Sequence, residues 1–277
     1  LWAQSCAVAT VDGSCVRIVR ERAVRQQKRR KSSEQPTQCG DSSKIKLTVV
    51  PRDEKKVKEA MASFGKAISE FEKRQGKMGD GEAAAVYFYA QAKFHLAEKD
   101  YETYLSMKFP TGLNFDPKNK AIAAKSMTRF TQWFEQKAKA GSTAREKYES
   151  VIGTKEAANA IASAARLGQV QQNFSDQLFT AEIPTDVRTG EFADEKVEAY
   201  CDALTSKADP LEAASLNLFG ACLRKSTELG WFSEWSKLCE RELGQIKPDE
   251  FPSAFELRDN PDQVAPVTST EAPIKLD

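Results

Sequence analysis

The spacing of apolar residues constrains this chain more than any other feature. Val57, Met61, Phe64, Ile68 and Phe71 recur at intervals of four, three, four and three. This is the repeat of one face of an α-helix, not the alternation of a strand. Ala83, Tyr87, Ala90, Phe94, Ala97, Tyr101 and Tyr104 keep the same spacing. So do Ala123, Met127, Phe130 and Phe134, and further on Ala157, Ala160, Ala164, Leu167, Gln171, Phe174 and Leu178. Ala193, Val197, Tyr200 and Leu204 carry a shorter stripe, followed by Leu211, Ala214, Leu218, Cys222 and Leu229, then Trp231, Trp235, Leu238, Cys239 and Ile246. A helix with one apolar stripe cannot bury it alone. Short connections make successive helices antiparallel neighbours. The expectation is an all-α fold of about nine helices, arranged as antiparallel helical hairpins stacked into a solenoid or bundle.

Glycine, proline and capping residues set the expected boundaries. Residues 76–81 (GKMGDG) read as a loop, and a corner is expected near Lys99-Asp100. Asp116-Pro117 reads as a helix start, Gly141-Ser142 as a bend, and Asp209-Pro210 with Glu212 as a capping box opening a new helix. Gly230 reads as the turn of a hairpin. Three regions follow: residues 1–50, a basic helical segment and extended connector; 51–260, the helical domain; and 261–277, a flexible tail. Within the first region, 14–31 reads as a helix carrying Arg17, Arg20, Arg22, Arg25, Lys28, Arg29, Arg30 and Lys31. The β-branched stretch KIKLTVV at 44–50 reads as a connector without a strand partner. The opening Leu1-Trp2-Ala3 enters an apolar pattern without a lead-in, as a fragment of a longer chain would, the alternative being a processed mature form.

Charge gives no bias toward nucleic acid, because 41 Lys and Arg nearly balance 40 Asp and Glu. No apolar run reaches the ~20 residues of a membrane-spanning helix. The basic run is the candidate patch for an anion or an acidic partner.

The six cysteines form no CxxC pair, so no zinc site is expected. Cys222 and Cys239 lie at nearly equal distances before and after Gly230. On antiparallel helices that places them opposite each other, as a disulfide requires, and a disulfide implies an oxidising compartment. The alternative is two buried thiols. Cys6, Cys15 and Cys39 cannot all pair among themselves, which leaves Cys201 or a cysteine elsewhere for one of them.

Catalytic signatures do not emerge. The single histidine, His95, adjoins the apolar stripe and has no nucleophile or acid in a recognisable pattern. Asp194-Glu195 and Asp249-Glu250 sit near helix starts, where acids favour the helix dipole. The glycines of 76–81 lack the order of a phosphate loop. Trp231 and Trp235 read as core residues, with a ligand groove as the alternative. No catalytic residue, metal or cofactor is expected.

The stretch AVYFYAQAKFHLAEKDYETYL at 85–105 resembles a tetratricopeptide hairpin, with Ala92 at the small position where the first helix meets the second. Residues 218–248 resemble a second hairpin that closes on Lys247-Pro248. The longer phrases AARLGQVQQNFSDQL, VEAYCDAL and WFSEWSKLCERELGQIKPDEFPSAFELR resemble the C-terminal region of large tetratricopeptide-like proteins of the myxobacterial cell envelope. That resemblance implies a periplasmic or outer-membrane-associated protein without enzymatic activity. It would be a scaffold that binds other proteins of an envelope complex, with no nucleic acid partner and with membrane association only through partners or a missing N-terminal region. The alternative is an obligate structural subunit of a large envelope or motility machine.

Overall fold

The structure is a computed structural model that describes residues 1–6, 15–20, 36–40 and 45–252. Its body is helical. Among the described residues there are six α-helices: α1 Glu54–Arg74, α2 Glu82–Ser106, α3 Lys120–Ile152, α4 Ala157–Phe179, α5 Ala193–Glu228 and α6 Glu234–Ile246. A two-stranded ribbon, β1 Val16–Arg20 and β2 Ile45–Val49, precedes them.

Helices expected as pairs are continuous. No corner interrupts α2 at Lys99-Asp100; Asp100 pairs with Lys147 across the helix interface instead. Gly141 does not bend α3. A Cβ there would lie 3.3 Å from the Tyr104 ring, so glycine serves close approach. Asn119, not Asp116, caps α3, accepting from the Ile122 amide. Pro210 lies inside α5 rather than opening a helix. An interior proline costs about 3 kcal/mol, and α5 offsets this by burying Leu204, Ala208, Ser215 and Phe219 along its length. The Ser175 hydroxyl pins that region by donating to the Ala208 carbonyl at 3.1 Å.

Side-chain register gives the helix directions. Tyr104 meets Lys137 while Asp100 meets Lys147, so α2 and α3 are antiparallel. Lys137 meets Asn173 while Gly141 meets Val170, so α3 and α4 are too. Gly168 lies on Phe219 and Ser175 on Ala208, and Cys222 joins Cys239 while Ser226 meets Ser236. Consequently α2, α4 and α6 run parallel: Glu98 meets Arg166 and Tyr104 meets Val170, while Arg166 meets Trp235 and Gln172 meets Glu242.

At the centre, α4 is buried on nearly every side, not on the one stripe read from its sequence. Its alanines and Gly168 let neighbours come close; a Cβ on Gly168 would lie 2.5 Å from the Phe219 ring. Arg166 makes a bidentate pair with Glu98 at 2.8 Å through each nitrogen, and Tyr148 donates to the same carboxylate at 2.5 Å. The Arg166 guanidinium also stacks near Tyr101 and Trp235. One ion pair thereby ties α2, α3, α4 and α6 together.

The N-terminal part corrects the expected basic helix. Val16–Arg20 is a strand, antiparallel to Ile45–Val49, with Ile18 opposite Leu47. The stretch expected as an unpaired connector therefore has a strand partner, and its Leu47 packs against the core of α2, α3 and α4. β-Branched residues in both segments favour this pairing. The ribbon is fastened to the body. Cys6 is bonded to Cys15 and Cys39 to Cys201. Arg52 grips Glu102 at 2.7 Å, donates to the Trp2 carbonyl and the Ser5 hydroxyl, and lies 3.5 Å from the Trp2 ring centre.

Candidate interaction groove

On the side of the α2–α3 pair away from α4, two adjoining hollows form one crease. The first is lined by Met107, Pro110, Arg129, Gln132, Trp133 and Gln136. The second is lined by Asp100, Thr103, Met107, Gln136, Lys139, Ala140 and Thr143. They share Met107 and Gln136, and measure about 280 and 320 Å³. On α3 the lining residues fall at helical intervals of three and four from 129 to 143. That is a stripe of about 20 Å, the length of about six residues of extended chain.

The crease has a fixed floor. Lys137 is fully buried beneath it and donates to the Tyr104 carbonyl at 3.0 Å, the Met107 carbonyl at 3.1 Å and Asn173 Oδ1 at 2.7 Å. It thus closes the C-terminal end of α2, where cations are favoured. Burial pulls its pKa down to about 7. Arg129 holds the chain after α2 through the Thr111 carbonyl at 2.9 Å. Trp133 packs against Phe109 and Phe174, and its indole N–H is buried without a hydrogen-bond partner. The lining combines amide groups (Gln132, Gln136) with apolar ones (Met107, Pro110, Ala140). Arg129 and Lys139 contribute positive charge, whereas Asp100 is paired with Lys147.

The residues singled out in the sequence lie elsewhere. Cys222 and Cys239 are joined, with Cα atoms 6.4 Å apart and both side chains fully buried. Of the basic run, Arg17 and Arg20 stand in β1, opposite Thr48 and Ile45. Arg22, Arg25, Lys28, Arg29, Arg30 and Lys31 lie outside the described residues, as does the tail at 261–277. His95 stacks on Phe64, with ring centres 5.1 Å apart. Burial lowers its pKa, against an opposing pull from Glu98, and its Nδ1 has no partner. Asp194 and Glu195 occupy the first turn of α5, and Glu250 pairs with Lys247. Residues 76–81 connect α1 to α2, with Gly76 and Gly79 at positive φ. The tryptophans expected as core divide: Trp235 packs on Phe94, whereas Trp231 stands in solvent. Among the described residues no group of three His, Cys, Asp or Glu is placed to hold a metal ion. No described helix is long and apolar enough to cross a membrane.

The crease itself was not foreseen. Gln132 and Gln136, four apart and beside the Phe130–Trp133–Phe134 cluster, are its visible trace in the sequence. Buried Lys137 left none, because a lysine flanked by polar residues reads as exposed. Comparison with protein-family models, curated proteins and solved structures finds no match.

Proposed function

We propose that this protein is a non-enzymatic interaction scaffold and that the α2–α3 crease holds an extended, acidic segment of a partner protein. The carrying observation is the crease's form. It is long and open, and its lining sets two side-chain amides, Gln132 and Gln136, one helical turn apart beside the apolar groups Met107, Pro110 and Ala140. Arg129 and Lys139 favour a negatively charged segment. A rigid floor at Lys137 lowers the ordering cost of binding.

Three disulfides support residence in an oxidising compartment. Taken with the resemblance of 164–178, 197–204 and 231–258 to tetratricopeptide-like envelope proteins, we place the scaffold in the periplasm or at the outer membrane. It would serve there within a bacterial envelope assembly.

A photo-crosslinking residue at position 136, in the native host envelope, tests this reading. The expected product is a single partner crosslinked through an acidic segment, with yield falling about tenfold in an Arg129→Glu, Lys139→Glu variant. A partner that crosslinks only to positions within 17–31, and never to the crease, would refute it.

A further inference from the structure

The turn between α5 and α6 displays three large apolar side chains to solvent. Leu229 is 54% exposed, Trp231 47% and Phe232 70%. They are not on a loose loop. Gly230 takes φ +61°, its amide donates to the Thr227 carbonyl, and the Trp231 amide donates to the Ser226 carbonyl. Ser233 and Ser236 form a reciprocal cap at the start of α6. The Ser226 and Ser236 hydroxyls meet at 2.9 Å, and the Cys222–Cys239 bond lies just below. These bonds fix the backbone that carries the apolar tip, so little backbone ordering is needed for it to bind.

Its surroundings narrow the choice of partner. The nearest charges neutralise each other, Lys225 with Glu228 at 2.5 Å and Lys237 with Glu234 at 2.9 Å, so the tip offers no net sign to a charged ligand. The three side chains expose on the order of 300 Å². That falls well short of the ~800 Å² per partner of a stable protein interface or dimer. A small, projecting, rigid group of leucine, tryptophan and phenylalanine suits the membrane–water interface. There aromatic rings settle at headgroup level, and apolar groups enter by about 5–10 Å.

We propose that residues 229–232 are a wedge that inserts into the surface of a lipid bilayer with no requirement for anionic headgroups. This stands independently of the crease, which lies on α2 and α3.

Vesicle flotation with the full chain and phosphatidylcholine vesicles tests it. The expected result is co-flotation and quenching of tryptophan emission by lipids brominated near the headgroup. Both should fall at least tenfold in a Trp231→Ser, Phe232→Ser variant whose melting temperature is unchanged. Phe192→Ser, which removes an aromatic 65% exposed elsewhere, should bind as the parent does. Adding phosphatidylglycerol should change partitioning by less than twofold. Failure of the parent protein to float, or equal flotation of the double variant, would overturn the proposal. So would binding that appears only on anionic vesicles, or tip substitutions that abolish crosslinking to a protein partner while vesicle binding is absent. Crosslinking at position 136 should be unaffected by the tip substitutions, which separates this test from that of the crease.

Discussion

Helices α1 and α4 are of similar length, 21 and 23 residues, yet they are stabilised in opposite ways. Helix α1 packs its stripe on α2 and leaves its charged face in water, with Ala60 and Phe71 its only fully buried residues. Helix α4 lies inside the fold, and its buried set includes Asn159, Ser163, Arg166, Gln169, Gln172, Asn173, Ser175 and Asp176. Burying such groups is costly unless they are paired, and of this set the Ser163 hydroxyl has no hydrogen-bond partner. Arg166 meets this condition through Glu98 and Gln169, Gln172 through Glu242, and Asn173 through Lys137. Apolar contact supplies the buried part of the outer helix's packing, and its polar contacts, Tyr89 to Glu72 and Lys56 to the Gln4 carbonyl, are exposed, whereas the inner helix depends on buried polar partners.

The largest test of that contrast is Arg166→Met. It leaves the Glu98 carboxylate buried without its cation, and should cost about 3–5 kcal/mol in urea unfolding. Combining it with Glu98→Gln should recover part of the loss. An outer pair, Arg145–Glu149, should cost under about 1 kcal/mol when broken by Arg145→Ala. A cost for Arg166→Met as small as that would remove the distinction.

Glycine substitutions come next. Gly168→Ala drives a methyl group into the Phe219 ring and should destabilise by about 1–3 kcal/mol. Gly65→Ala, on α1, meets nothing within 4 Å and should stabilise by about 0.5–1 kcal/mol. Thermal melts of the two variants should therefore shift in opposite directions.

The smallest expected effect is a pH slope at the α1–α2 contact. Burial depresses the pKa of His95, so the unfolded chain takes up a proton more readily than the folded one. Its contribution to stability should be complete above the unfolded value of about 6.5. It should be lost as pH falls through the lower folded value. Subtracting the urea midpoints of a His95→Gln variant from those of the parent, from pH 8 to 4, should isolate that slope.

How much was legible in the sequence follows the same division. The α1 stripe was readable because one face does all its packing. The Cys222–Cys239 geometry was readable because a glycine turn fixes the register of two antiparallel helices. Gly168 and Gly141 were not readable as contact points, because the rings they admit come from distant segments. Pro210 and Asp209 carried a true local signal for a helix start, which tertiary packing along α4 overrode. Residues 16–20 read as the start of a basic helix over 14–31, although three of the five are β-branched, and the strand partner lies some thirty residues on. The candidate site was the least legible part. A crease arises from the angle and register of two helices, and only the Gln132–Gln136 spacing hinted at it.

Hydrogen exchange of the native protein tests the inner and outer division most directly. Amides of α4 between Ile161 and Leu178 should exchange only through global unfolding, with the same free energy as urea denaturation reports. Amides of α1 should exchange through local opening at a clearly lower free energy. Equal protection of the two helices, or earlier exchange in α4, would contradict a fold organised around a buried polar centre.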